Sequence, residues 1–154
     1  MNIESFIEHY VWMITAISLF FIPKDFYRKA SISFLFMLFV SWFLGILVVE
    51  YDLIEYPERF LASVNETSFT FEFFVFPVIG IFFTLYYPAG KNVYKKVIYT
   101  SGFTSAIIIP EIFLEKYTDL IKYVNWTWYL SWISVFATFL LLRLFYMWYF
   151  KDCS

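Results

Sequence analysis

Of the chain's 154 residues, 62% are hydrophobic, 27% are aromatic and only 16% are charged, and the formal net charge is −2. A water-soluble domain is nearer a quarter charged, and a chain of this length cannot hide so much apolar area in a core, so a soluble fold is excluded. The near-neutral balance without a basic block excludes nucleic acid as a partner, and Cys153, the single cysteine, excludes an internal disulfide or a cysteine-based metal cluster.

The charges fall between long apolar stretches, which predicts an all-α fold. The expected architecture is one transmembrane domain over 1–154, a polytopic membrane helix bundle with helices at about 3–22, 30–49, 69–87, 97–116 and 126–150. The first stretch opens with Glu4 and Glu8 rather than a positive segment and has no small-residue cleavage site. It is therefore expected to stay in the membrane rather than act as a signal peptide. His9 near its start reads as an interfacial residue, since one histidine among acids is a poor zinc site. Pro23 stops this helix, and Lys24, Asp25, Arg28 and Lys29 form a charged turn.

The second helix is uncharged, with Gly45 inside it, and an acidic segment from Glu50 to Glu66 follows. Pro77 and Gly80 interrupt the third helix, where membrane context favours a kink over a break. The turn around Pro88 and Gly90 leads through Lys91, Lys95 and Lys96 into the fourth helix, which carries Pro110, Glu111 and Glu115. Aromatic residues bracket the fifth helix at both ends, as expected of interfacial belts. Strands are the rival reading, but unalternated runs of this length do not fit a membrane barrel.

Charge asymmetry predicts orientation. The two short turns and the end of the fifth helix hold Lys24, Arg28, Lys29, Lys91, Lys95, Lys96, Arg143 and Lys151, eight of eleven basic residues. The other side holds eleven of the thirteen acids. The positive-inside rule puts the basic side in the cytoplasm, so five transmembrane helices place the N-terminus outside and the C-terminus inside. Arg143, about two turns inside the membrane, is expected to snorkel to the headgroups or, with Lys91, Lys95 and Lys96, to bind anionic lipid.

Four carboxylates form the candidate binding, proton or cation site. Glu50 ends the second helix, Glu72 lies in the first turn of the third, and Glu111 and Glu115 share a face near the end of the fourth. Continuing that face gives Ile108, Thr104 and Ser101 or Thr100, and Pro110 leaves the Ala106 carbonyl without its helical donor. A carboxylate at the depth of Glu111 costs several kcal/mol unless it is paired, protonated or hydrated. Lys116 is the alternative partner, and a plain interfacial role is the alternative reading of the other three acids. Trp126, Trp128, Tyr129 and Trp132 could stack on an apolar or cationic ligand, Trp128 and Trp132 being the candidates for an aromatic lining, though interfacial anchoring explains them as well. No phosphate loop, HExxH, nucleophile elbow, haem pair or selectivity-filter repeat is present, so no catalytic residue, metal site or cofactor is assigned.

Several phrases beside the loops carry a resemblance: Val48-Val49-Glu50, Leu53-Ile54-Glu55-Tyr56-Pro57, Thr67-Ser68-Phe69-Thr70-Phe71-Glu72, and Ile112 to Tyr123 followed by Trp126-Thr127-Trp128-Tyr129. Together they resemble a family of uncharacterised small integral membrane proteins of spore-forming bacilli and clostridia. The resemblance covers nearly the full chain. It implies a multi-pass protein of a Gram-positive plasma membrane, where the glycosylation-like tripeptides at Asn65 and Asn125 are irrelevant, and it carries no catalytic residues. Three functional expectations follow. The first is a non-enzymatic partner or assembly subunit of the envelope, with a membrane-protein partner or a second copy of itself. The second is a binding or transport site for a small molecule, lipid or cation, lined by the outer-side carboxylates. The third is an intramembrane enzyme acting on lipid.

Overall fold

The structure, a computed structural model, describes residues 2–151; Met1, Asp152, Cys153 and Ser154 lie outside the described residues. Among the described residues five α-helices make up the fold: α1 (Ile3–Ser18), α2 (Tyr27–Glu50), α3 (Phe76–Leu85), α4 (Val93–Tyr117) and α5 (Trp128–Phe150). Three of the described segments are long and apolar enough to cross a membrane: Lys24–Glu50, Val93–Tyr117 and Trp128–Phe150. They point to a multi-pass membrane protein. The apolar segment Phe71–Leu85 is shorter, rising about 22 Å against about 37 Å for α4.

Helix ends follow local chemistry. Pro23 holds Ile22 extended, so α1 gives way to a 3-10 turn at Leu19–Phe21 and a second at Lys24–Phe26. The α2 helix starts at Tyr27, earlier than hydropathy implied, because Arg28 and Lys29 are wound into its first turn. The α4 helix also starts early, at Val93, because the Asn92 side chain caps it by accepting from the Lys95 amide at 3.0 Å. Pro110 is accommodated within α4 without ending it.

The third apolar stretch departs most from a plain helix. Phe71–Val75 is a π-helical turn that leads directly into α3, whose first turn holds Pro77. Pro77 has no N–H for the Phe73 carbonyl and its ring crowds that group; one widened turn relieves both problems. The expected kink is therefore realised as a π turn.

This segment is also the centre of the bundle. Phe76, Pro77, Val78, Gly80, Ile81, Phe83 and Thr84 are all buried. The α3 helix packs mainly on α2 and also on α5, α4 packs on α5, and α1 meets the bundle through the π turn. The main core joins Met37, Phe76, Phe83, Ile107, Ile108, Val135, Phe139 and Leu142. The close approach of α2 to α3 depends on Gly80, where an added Cβ would stand 2.6 Å from Met37 Cγ. By contrast, Ile3, Phe6, Tyr10, Met13, Ile14 and Ile17 of α1 are all exposed, an apolar face suited to lipid.

At one end, the long connections 51–70 and 118–127 are stitched together. Ile54–Glu55 (β1) pairs antiparallel with Lys122–Tyr123 (β2), Ile54 opposite Tyr123 and Glu55 opposite Lys122. The Glu58 amide donates to the Asp119 carbonyl at 2.9 Å, and the Val124 and Asn125 amides donate to the Leu53 carbonyl. Arg59 folds the first connection on itself by donating to the carbonyls of Tyr56, Ala62 and Asn65. Glu8 of α1 accepts from the Phe60 amide and the Thr70 hydroxyl, both at 3.3 Å, which ties α1 to this end. The short turns lie at the opposite end, where Ile22 and Ala30 pack on Ile81.

Candidate functional site

Beneath the stitched connections lies a half-open cavity of about 530 Å³. Its walls come from α1, α2, the π turn, α3, α4 and α5, and Leu53, Ile54, Tyr56, Leu120, Ile121 and Trp126 close it from the two connections. Most of the wall is carbon. The polar exceptions include Glu72, Glu111, Tyr56 and a row of hydroxyls on α5, Ser131, Ser134 and Thr138.

Glu72 lies on the π turn and is only 3% exposed. Its carboxyl sits directly on Gly45 of α2, where any Cβ would collide with it. Its backbone is held by the Ser41 hydroxyl, which donates to the Glu72 carbonyl at 2.6 Å. The Thr67 hydroxyl lies beside the carboxyl, yet Oε2 is buried with no hydrogen-bond donor among the described residues. An acceptor left open in this way is costly. Glycine at 45 is needed here for space.

Glu111 is held differently. Its Oε1 accepts from the Tyr123 hydroxyl and, at 2.8 Å, from the Ser131 hydroxyl. Ser131 in turn accepts from the Trp126 indole N–H at 2.8 Å. The chain Trp126–Ser131–Glu111–Tyr123 therefore links the second connection to α4 and α5. Because Tyr123 pairs with Ile54, the same network reaches the first connection.

Tyr56 completes the site. Burial, then the nearby carboxylates of Glu72 and Glu111, push its phenol well above the usual tyrosine range. Tyr123 is also pushed up, by burial first and then by its bond to Glu111. Both phenols therefore keep their protons at neutral pH and remain donors.

Of the four carboxylates singled out from sequence, Glu72 and Glu111 line this cavity and Glu50 and Glu115 do not. Glu50 is exposed at the end of α2. Glu115 is half-buried and faces the Tyr123 side of the network. Lys116 pairs with neither acid of its helix; its Nζ lies over the Tyr117 ring, 5.4 Å from the centroid. The expected hydroxyl stripe on α4 turns into the protein instead, with Thr104 donating to the Thr100 carbonyl at 2.8 Å. The hydroxyls that reach the cavity belong to α5. Ala106 and Pro110, the pair whose helical bond proline removes, do line it.

The aromatic residues divide in the same way. Trp128 is 54% exposed, and Trp132 donates to Ser105 and stacks on Phe136, so neither lines the cavity. Trp126 does. Sequence reasoning named Trp126 within the aromatic stretch that opens the fifth helix, and missed Tyr56, Tyr123 and Ser131. The advance signal for the two tyrosines is the clustering of polar and aromatic residues in two connections next to the buried acids; Ser131, on α5, carries none. His9 is exposed, its ring nitrogen 2.5 Å from the Ser5 carbonyl. No group of three or more His, Cys, Asp or Glu among the described residues is arranged to hold a metal ion.

At the opposite end a groove of about 330 Å³ is lined by Tyr87, Lys96, Leu140, Arg143, Leu144 and Met147. Arg143 is 6% exposed rather than reaching out, its guanidinium 4.3 Å from the Tyr87 ring centroid and 5.4 Å from that of Tyr146. Lys91 and Lys95 are exposed and do not line the groove. Comparison with protein-family models, curated proteins and solved structures finds no match.

Proposed function

We propose that this chain is a membrane-embedded binding protein that holds an amphipathic small molecule or lipid in the cavity beneath its two long connections. The observation carrying this reading is Glu72: a carboxyl nine-tenths buried, cradled on Gly45, with one oxygen lacking any donor among the described residues, in the wall of a mostly carbon-lined cavity. A packed interior does not keep such a group without compensation. A ligand with an apolar body and a donor at one end supplies what is missing. Mild-detergent purification followed by small-molecule mass spectrometry tests this. The wild-type protein should retain a specific amphiphile that Ala106→Trp, which fills the cavity, does not. Equal loads on both would overturn the reading.

The membrane topology belongs to the same proposal. Five crossings, with the connections and N-terminus outside and the basic turns in the cytoplasm of a Gram-positive plasma membrane, agree with the charge asymmetry. The resemblance to small membrane proteins of bacilli and clostridia supports the setting. A C-terminal reporter should be active only in its cytoplasm-dependent form; activity outside would refute this orientation.

One second reading has its own support. In the opposite groove, Lys96 and Arg143 stand beside the apolar surfaces of Leu140 and Leu144, a combination suited to the headgroup and chain of an anionic phospholipid. An assembly role draws on the uncovered apolar faces of the helices, on α1 and on α2 around Leu35 and Phe39, which lipid covers equally well.

A further inference from the structure

We propose that the ligand of the loop-end cavity is an ammonium amphiphile, a protonated aliphatic amine whose nitrogen binds Glu72; this rests on reading the cavity as a binding site. Charge carries the choice. Glu8, Glu58, Glu72 and Glu111 all contribute to the lining, and no Lys, Arg or His does. An anionic headgroup would enter against four carboxylates. A neutral alcohol would supply the donor that Glu72 lacks but nothing to balance the acidic side chains of the lining.

An ammonium group supplies both the counter-charge and up to three donors. Glu72 Oε2 is buried and lacks any donor among the described residues, so a nitrogen must displace the carboxyl slightly to reach it, whereas Glu111 Oε1 already takes two hydroxyls. Glu72 therefore anchors the nitrogen and Glu111 serves mainly to hold the covering connections. Phe71, Phe76, Tyr51 and Trp126 add aromatic side chains to the walls, a composition that tolerates a cation. A bare metal ion is the poorer fit, because the walls are mostly carbon and no ligand cluster is present among the described residues.

The test uses the full chain in lipid nanodiscs with three photoreactive probes of one shape: diazirine-tagged dodecylamine, dodecanol and dodecanoic acid. Adducts are mapped to peptides by mass spectrometry. The amine should label the cavity-lining segments roughly tenfold more than the alcohol, the gap between a charge-assisted and a neutral hydrogen bond. The acid should label them least. Glu72→Gln should erase the amine's advantage, whereas Glu111→Gln should largely preserve it. The wild-type comparison among probes is informative even if a variant folds poorly. Equal labelling of the cavity by all three would overturn the ammonium assignment and leave the binding site standing. An amine advantage that survives in Glu72→Gln would overturn the anchor. Labelling no higher than on the exposed α2 face around Leu35 and Phe39 would overturn the binding site itself.

Discussion

The two ends of this bundle are built from the same helices and solve opposite problems. At the short-turn end, rings fill the interior: Phe83 stacks on Phe139 with centroids 4.5 Å apart, Phe103 meets both edge-on, and Tyr99 packs on Phe83 and Phe103 while donating to the Phe83 carbonyl at 2.9 Å. At the long-connection end the same helices enclose about 530 Å³, with the carboxyls of Glu72 and Glu111 in the wall. Membrane helices associate mainly through close packing, since lipid already satisfies their apolar surface. The ring-filled end therefore supplies the cohesion that permits the other end to stay hollow and polar.

The sharpest way to break this division is Phe139→Ala. Phe139 is fully buried among Phe76, Phe83 and Phe103, so its loss should cost about 3 kcal/mol, mostly lost packing. Denaturant unfolding in micelles would show it. A change near zero would mean that the ring-filled end is not where the stability resides.

Next in size is Gly45→Ala, which drives a methyl into the Glu72 carboxyl and should destabilise by about 2 kcal/mol. Adding Glu72→Ala should recover most of that loss, because the two changes share one contact. Purely additive effects would show that Gly45 is not a cradle for Glu72.

A smaller effect is expected from Tyr123→Phe, which removes one of the two donors to Glu111 Oε1 and should cost about 1 kcal/mol. The change should appear as faster amide exchange in 51–70 and 118–127, with the ring-filled end unaffected. Uniformly faster exchange would argue against separate ends.

The smallest is a pH effect. Tyr56 and Tyr123 have raised phenol pKa values in the folded protein, so the unfolded chain ionises first, from about pH 10. Their contribution is intact below that value and is lost as pH rises through the folded values. Amide protection of the connections should thus weaken above about pH 10, and less so in the Tyr56→Phe, Tyr123→Phe double variant.

How much of this could be read from sequence depended on whether the cause was local. Long apolar runs separated by charges are local, and the five helices stand near where hydropathy put them. The early start of α4 was local too, but the signal was the capping chemistry of Asn92, which hydropathy scales ignore. The π turn needed Pro77 to be seen as a constraint on the turn before it. The site was legible only in part. Glu72 and Glu111 could be named because ionisable residues inside apolar runs are conspicuous, but whether they share a space with Glu50 and Glu115 depends on helix rotation. That rotation is set by contacts such as Gly80 on Met37 and Glu72 on Gly45, between residues far apart in the chain. Tyr56 and Tyr123 were hidden for the same reason, since two distant connections had to pair before their side chains met the acids.

The most direct measurement is the reactivity of a thiol placed at the anchor. In a Cys153→Ser background, Glu72→Cys should react readily with a long-chain alkyl thiosulfonate, and adding Ala106→Trp should slow the reaction strongly. A thiol at 72 that resists the apolar reagent, or reacts equally with the cavity filled, would contradict the claim that Glu72 faces a ligand-sized cavity.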